Sequence, residues 1–109
     1  MQKFKMNGIE WFVTEVESSS SLLIDRTGLR TVAVTDPSIH TIFLADNLRG
    51  EFRQRVLVHE LCHCALVSYG LINDLHNFVP PENWVFAEEW VCNLLADYGH
   101  IIFEKETLL

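Results

Sequence analysis

An α+β fold is the expectation for this 109-residue chain: a small antiparallel sheet packed against two long helices. Three observations lead there. Runs rich in β-branched and aromatic residues lie early, at 9–16, 31–35 and 40–44. Two long stretches without internal proline follow, at about 50–69 and 82–103. Strands that precede helices, rather than alternating with them, put the helices together on one face of a sheet. A chain of this length builds one core, so 1–109 is read as a single domain.

The first strand is Ile9–Val16, whose apolar residues partly alternate. The serines at 18–21 can start a short helix over 22–26 that Gly28 stops. Segments 31–35 and 40–44 form a hairpin across Asp36-Pro37-Ser38-Ile39, because proline presets φ and the aspartate can bond the backbone ahead. Asp46 or Asn47 is placed to cap the first long helix, and Gly70 to end it. Residues 71–80 read as a connection closed by Pro80-Pro81. Pro81 then falls in the first turn of the second long helix, where its missing N–H does no harm. Leu94, Leu95, Ile101 and Ile102 read as core, and Trp11, Trp84 and Trp90 as core or rim aromatics.

Composition removes several classes of function. The net charge is −7, and the eight Lys and Arg are scattered except around Arg49, Arg53 and Arg55, so direct nucleic-acid binding is not expected. No apolar run is long enough to span a bilayer, and the first residues lack the apolar stretch of a secretion signal. Cys62, Cys64 and Cys92 are odd in number and lie inside helical segments, a poor disulfide framework. A cytoplasmic protein that meets neither nucleic acid nor membrane is the expectation; the oligomeric state is open.

The chemistry concentrates in His59-Glu60-Leu61-Cys62-His63. Residues four apart on a helix share a face, so the two imidazoles can grip one metal ion while Glu60, about 100° round the helix, reaches a water beside it. Two nitrogen ligands, an adjacent base and an open position for water are the working parts of the H-E-x-x-H zinc hydrolases. Apolar residues flank the motif, Val56-Leu57-Val58 before and Cys64-Ala65-Leu66 after, and Glu60 is the only charge among them.

A third ligand should come from Glu88-Glu89-Trp90-Val91-Cys92-Asn93 on the second long helix. Glu88 falls in the apolar stripe of Trp84, Val91, Leu95, Tyr98 and Ile102, where a carboxylate needs a partner and a metal would serve. Glu89 shares its stripe with Asn93, which could hold a ligating histidine by its second nitrogen. Both remain open on the residues alone, with Glu89 preferred for the sake of Asn93.

The pair of segments His59-Glu60-Leu61-Cys62-His63 and Glu89-Trp90-Val91-Cys92-Asn93 resembles the ImmA/IrrE-type metallopeptidases of phages and mobile elements, and more broadly the gluzincins. The resemblance covers the last three-quarters of the chain, with Cys62 where the family commonly has glycine. It implies a minimal zincin-like domain in which His59, His63 and Glu89 bind Zn²⁺. It also implies a hydrolase acting on a peptide or protein substrate, with Glu60 as the catalytic base, in a phage-derived protein. A substrate strand could pair with an exposed edge at 40–44. The competing expectation is a non-catalytic interaction protein whose zinc clasps the two helices, closed by a fourth protein ligand such as Cys62 or Cys92. Among the remaining candidates, His76 could stabilise an oxyanion from the connection, and Tyr69 or Tyr98 could donate to a tetrahedral intermediate.

Overall fold

In the computed structural model, which describes residues 1–109, the chain opens with a strand that no run of β-branched residues announces. Gln2–Met6 (β1) turns at Asn7-Gly8, whose φ angles of 51° and 77° suit a two-residue hairpin, and pairs antiparallel with Ile9–Val16 (β2). Ala33–Asp36 (β3) and Thr41–Ala45 (β4) form the expected hairpin. Asp36 fastens its turn, accepting from the Ser38 amide at 3.0 Å and the Ser38 hydroxyl at 2.6 Å.

The sheet order is β1-β2-β4-β3, and β4 runs parallel to β2. The sheet is therefore mixed, which corrects the wholly antiparallel expectation. The segment between β2 and β4 is long enough to carry the chain back to the starting end of β2, as a parallel pair requires. A second correction follows. Residues 40–44 lie inside the sheet, and the free edge on that side belongs to β3.

Within the crossover the expected helix at 22–26 is only a 3-10 turn, Ser21–Leu23, capped by the Ser20 hydroxyl at 3.1 Å from the Leu22 amide. It cannot continue because Asp25 folds the chain back. One carboxylate oxygen accepts from the amides of Thr27 (2.9 Å) and Leu29 (3.0 Å) and from the Thr27 hydroxyl (2.5 Å). Arg26 is thereby presented from a tied loop.

The long helices are Gly50–Ser68 (α1) and Trp84–Glu106 (α3). Neither Asp46 nor Asn47 caps α1: the residue before the helix is Arg49, which offers no side-chain cap. Asp46 instead extends the sheet, its amide donating to Val16 O at 2.8 Å. The presumed connection holds a further helix, Leu71–Phe78 (α2), launched from Gly70 in the left-handed conformation (φ 69°). Ile72 and Leu75, three apart, turn one face of α2 onto Cys62, Leu66 and Cys92. No single helix is long and apolar enough to cross a membrane.

Trp11, Val13, Ile42 and Leu44 point from the sheet onto Cys64 and the half-buried Val56, Leu57, Leu61 and Val67 of α1. Each fully buried large side chain contributes about 1.5–3 kcal/mol. Trp11 Nε1 donates to Ser68 Oγ at 2.8 Å, tying the end of α1 to the sheet. On α3 the buried residues are Glu88, Cys92, Ala96 and Gly99. Leu94, Leu95, Ile101 and Ile102 are 36–58% exposed, and Trp90 is 57% exposed. They are not core, because nothing in the fold packs on that side of α3.

Candidate metal centre

α1 carries His59 and His63 one turn apart, and their Nε2 atoms stand 3.2 Å from each other. From α3, Glu89 reaches both: Oε2 lies 2.9 Å from His59 Nε2 and Oε1 lies 3.3 Å from His63 Nε2. Two atoms each about 2.0–2.1 Å from a tetrahedral zinc stand roughly 3.3–3.4 Å apart. The His59–His63 separation matches one edge of such a tetrahedron, and each Glu89 oxygen lies within about half an ångström of an edge length from one of the two histidines. The two histidines thus stand at a zinc-sized separation, with Glu60 and Glu89 both in reach as further donors.

Glu60 lies beside the two histidines. His59, Glu60 and His63 also offer ligand atoms within 4.8 Å of one another. Glu60 is the more distant carboxylate, with Oε2 3.7 Å from His59 Nε2. Its Oε1 is engaged elsewhere, accepting from the Thr35 hydroxyl of β3 at 2.9 Å. Burial pushes the Glu60 carboxyl above its ordinary value, against the opposing pull of His63 and His59. Glu89 moves the other way, held low by hydrogen bonds from His59 and His63. Burial works against a charged His59, but the Glu89 hydrogen bond and the Glu60 and Glu89 charges prevail, with Asn93 assisting, and raise it. Two carboxylates thus reach one pair of histidines with their proton affinities driven apart.

Glu88, next in sequence to Glu89, is 3% exposed, as its apolar stripe requires. Its partners are Arg26, in direct ion-pair contact, and His76, whose Nε2 stands 3.4 Å from Glu88 Oε1. Burial at this position thus called for an arginine, and Arg26 also approaches Glu89 Oε1 at 3.5 Å. His76 stacks on Trp84, ring centroids 3.9 Å apart, and is committed to the α2–α3 junction. Tyr69 and Tyr98 are both more than half exposed.

Sequence reasoning missed Arg26 and Thr35. Nothing local singles out Thr35. Arg26 had one usable signal, the Asp25-Arg26-Thr27-Gly28 turn pattern, which fixes an otherwise mobile side chain.

Cys62 and Cys92 pack with each other, Leu66, Ile72 and Leu75, and neither belongs to the donor group. A hydrogen bond from Cys92 lowers the Cys62 thiol to about 7, while burial pushes Cys64 up to about 12.

Two clefts, of about 520 and 450 Å³, open on either side of the histidines. Both are lined by Thr31, Ala33, His59, Glu60 and Glu89, so they are the two arms of one groove with the site at its middle. Arg26, Thr35 and His63 line one arm; Phe52, Arg55 and Asn93 line the other. The chain matches no protein-family model, and no curated protein is similar to it.

Proposed function

We propose that this protein is a small zinc metallopeptidase of the gluzincin kind, with His59, His63 and Glu89 as ligands and Glu60 as the base. The observation that carries this reading is the groove: the donor set lies at the middle of an open channel that continues past it on both sides. A structural zinc is closed by four protein ligands, whereas a catalytic one keeps a position for water or substrate. Here neither cysteine joins the histidines.

When bound, zinc supplies Lewis acidity toward a scissile carbonyl and toward water. The remaining work falls to the chain. Glu60, held by Thr35 and raised by burial, takes a proton from the attacking water and returns it to the departing amine nitrogen. Arg26, anchored by Glu88, supplies positive charge to the arm that also contains His63. The outer strand β3 contributes Ala33 and Thr35 to the groove, so its free edge suits an extended peptide added antiparallel or parallel to the sheet. A cytoplasmic, phage-derived protein, as the resemblance to the ImmA/IrrE-type peptidases implies, accords with this reading.

The test is hydrolysis of a peptide library by zinc-loaded protein alongside Glu60→Gln. Cleavage by the parent, abolished in the variant while one zinc per chain is retained, is the expected result. Stoichiometric zinc with no cleavage of any peptide would favour the clasp between α1 and α3 instead.

A further inference from the structure

The surface of this chain is larger than its mass requires. A folded monomer of 12.6 kDa exposes about 6,200 Å², whereas this one exposes 7330 Å². Its radius of gyration, 14.4 Å, likewise exceeds the roughly 13 Å of a compact domain of this length. The excess, on the order of 1,100 Å², is more than the ~800 Å² that each partner hides in a standard interface.

Much of the uncovered surface is on α3. Phe86, Trp90, Leu94, Tyr98 and Ile101 follow one another at steps of four and three residues, forming one stripe on the side away from buried Cys92 and Ala96. From Trp90 to Phe103 the only charged or imidazole side chains are Asp97, held by Arg55 at 3.4 Å, and His100. The stripe thus offers nothing to steer a highly charged partner. With no Lys or Arg in that span and a net charge of −7, the face also gives an anionic lipid surface nothing to hold.

We infer that this α3 face is the interface of a two-fold dimer with a second copy of the chain. Antiparallel packing with the axis at Leu94 sets Leu94 on its own counterpart and Trp90 on Tyr98. The stripe is therefore self-complementary, aromatic against aromatic near the centre, as an isologous contact needs. The stripe borders the second arm of the groove at Asn93 and Asp97, while the other arm, with Arg26, Thr35 and His63, lies away from it.

Sedimentation velocity with light scattering, over about 1–100 µM, tests it on the whole chain. The parent should be dimeric across most of that range. Leu94→Arg sets two like charges together at the axis and should weaken association about a hundredfold or more. Leu94 is 41% exposed, so the variant should keep its fold by circular dichroism and its zinc content. Trp90→Lys should also dissociate the dimer, and Trp90→Lys combined with Tyr98→Glu should restore it. A parent monomeric throughout, a dimer indifferent to Leu94→Arg, open-ended aggregation, or a stripe occupied by a different protein would each overturn the proposal.

Discussion

The two sides of α1 are built on different principles. Toward the sheet, α1 meets Trp11, Ile42 and Leu44, fully buried apolar side chains with one buried polar bond, Trp11 to Ser68. Toward α3, it meets Glu89 through two histidines, and the buried set there is small: Cys62, Leu66 and Cys92. The first side is held by burial, which is non-directional and needs no ligand. The second is held by directional polar groups that a metal would complete. Stability and chemistry are thus divided between two faces of a single helix, and each can be disturbed separately.

The largest disturbance should come from the sheet side. Trp11→Ala removes a fully buried indole and orphans Ser68, and should cost about 3–5 kcal/mol in urea unfolding with or without zinc. Tyr69→Ala, one residue past the end of α1 and 54% exposed, should stay within about 0.5 kcal/mol of the parent. Similar losses for both would mean that the sheet-side core does not carry the fold.

Next come the adjacent carboxylates. Glu89→Gln removes an anionic donor at 2.9 and 3.3 Å from the histidines. It should weaken zinc binding beyond the ~100-fold that marks loss of a merely supporting partner. Glu88→Gln should leave zinc affinity nearly intact. Its cost is in stability, about 1–2 kcal/mol, since Arg26 loses its buried counter-charge but is itself half exposed. Zinc titration beside thermal melts separates the two. Metal lost from Glu88→Gln alone would mean the ligand register is off by one.

That pair also shows how far the sequence reached. Helical periodicity placed His59 and His63 on one face and marked Glu88 as buried, and both hold in the structure. It could not say that Arg26, far away in sequence, arrives to neutralise Glu88, because loop geometry brings them together. The two long helices and the β3–β4 hairpin were legible from local pattern and turn chemistry. Three other features were not. The short β1 is dominated by lysines and methionine; α2 is a single amphipathic pair of turns; the parallel β2–β4 pairing is a property of the crossover. Reading Leu94 and Ile101 as core failed for a physical reason too: an apolar stripe predicts burial, but not against what.

A smaller and opposite pair of effects should appear with pH. In metal-free protein Glu89 is held low by its histidine bonds. Its contribution to stability is present above the unfolded carboxylate value of 4.5 and is lost as pH falls toward its folded value. His59 is raised, so its contribution is full below 6.5 and lost as pH rises through the raised value. The metal-free melting temperature should therefore peak between those values and decline as pH rises above about 6.5. Zinc-loaded protein should not decline over that span, because ligation needs neutral imidazoles and strengthens as they lose protons. Parallel profiles with and without a chelator would disconnect zinc from these histidines.

The smallest expected effect concerns Asn93. It sits one turn beyond Glu89 on α3, lines the second arm of the groove together with His59, and makes a small contribution to raising that histidine. Asn93 is exposed, so Asn93→Ala should alter stability by no more than about 0.5 kcal/mol. Removing this polar neighbour should lower zinc affinity about tenfold, the low end for a group that orients a ligand. Asn93→Asp keeps an acceptor at the same place and should recover most of that loss, whereas Asn93→Leu, of similar size but without an acceptor, should not. The order of zinc affinities, parent above Asn93→Ala above Glu89→Gln, follows from distance to the donors alone. An Asn93→Ala protein that binds zinc as tightly as the parent would show that α1 orients His59 unaided, leaving Glu89 as the only residue of α3 needed to hold the metal.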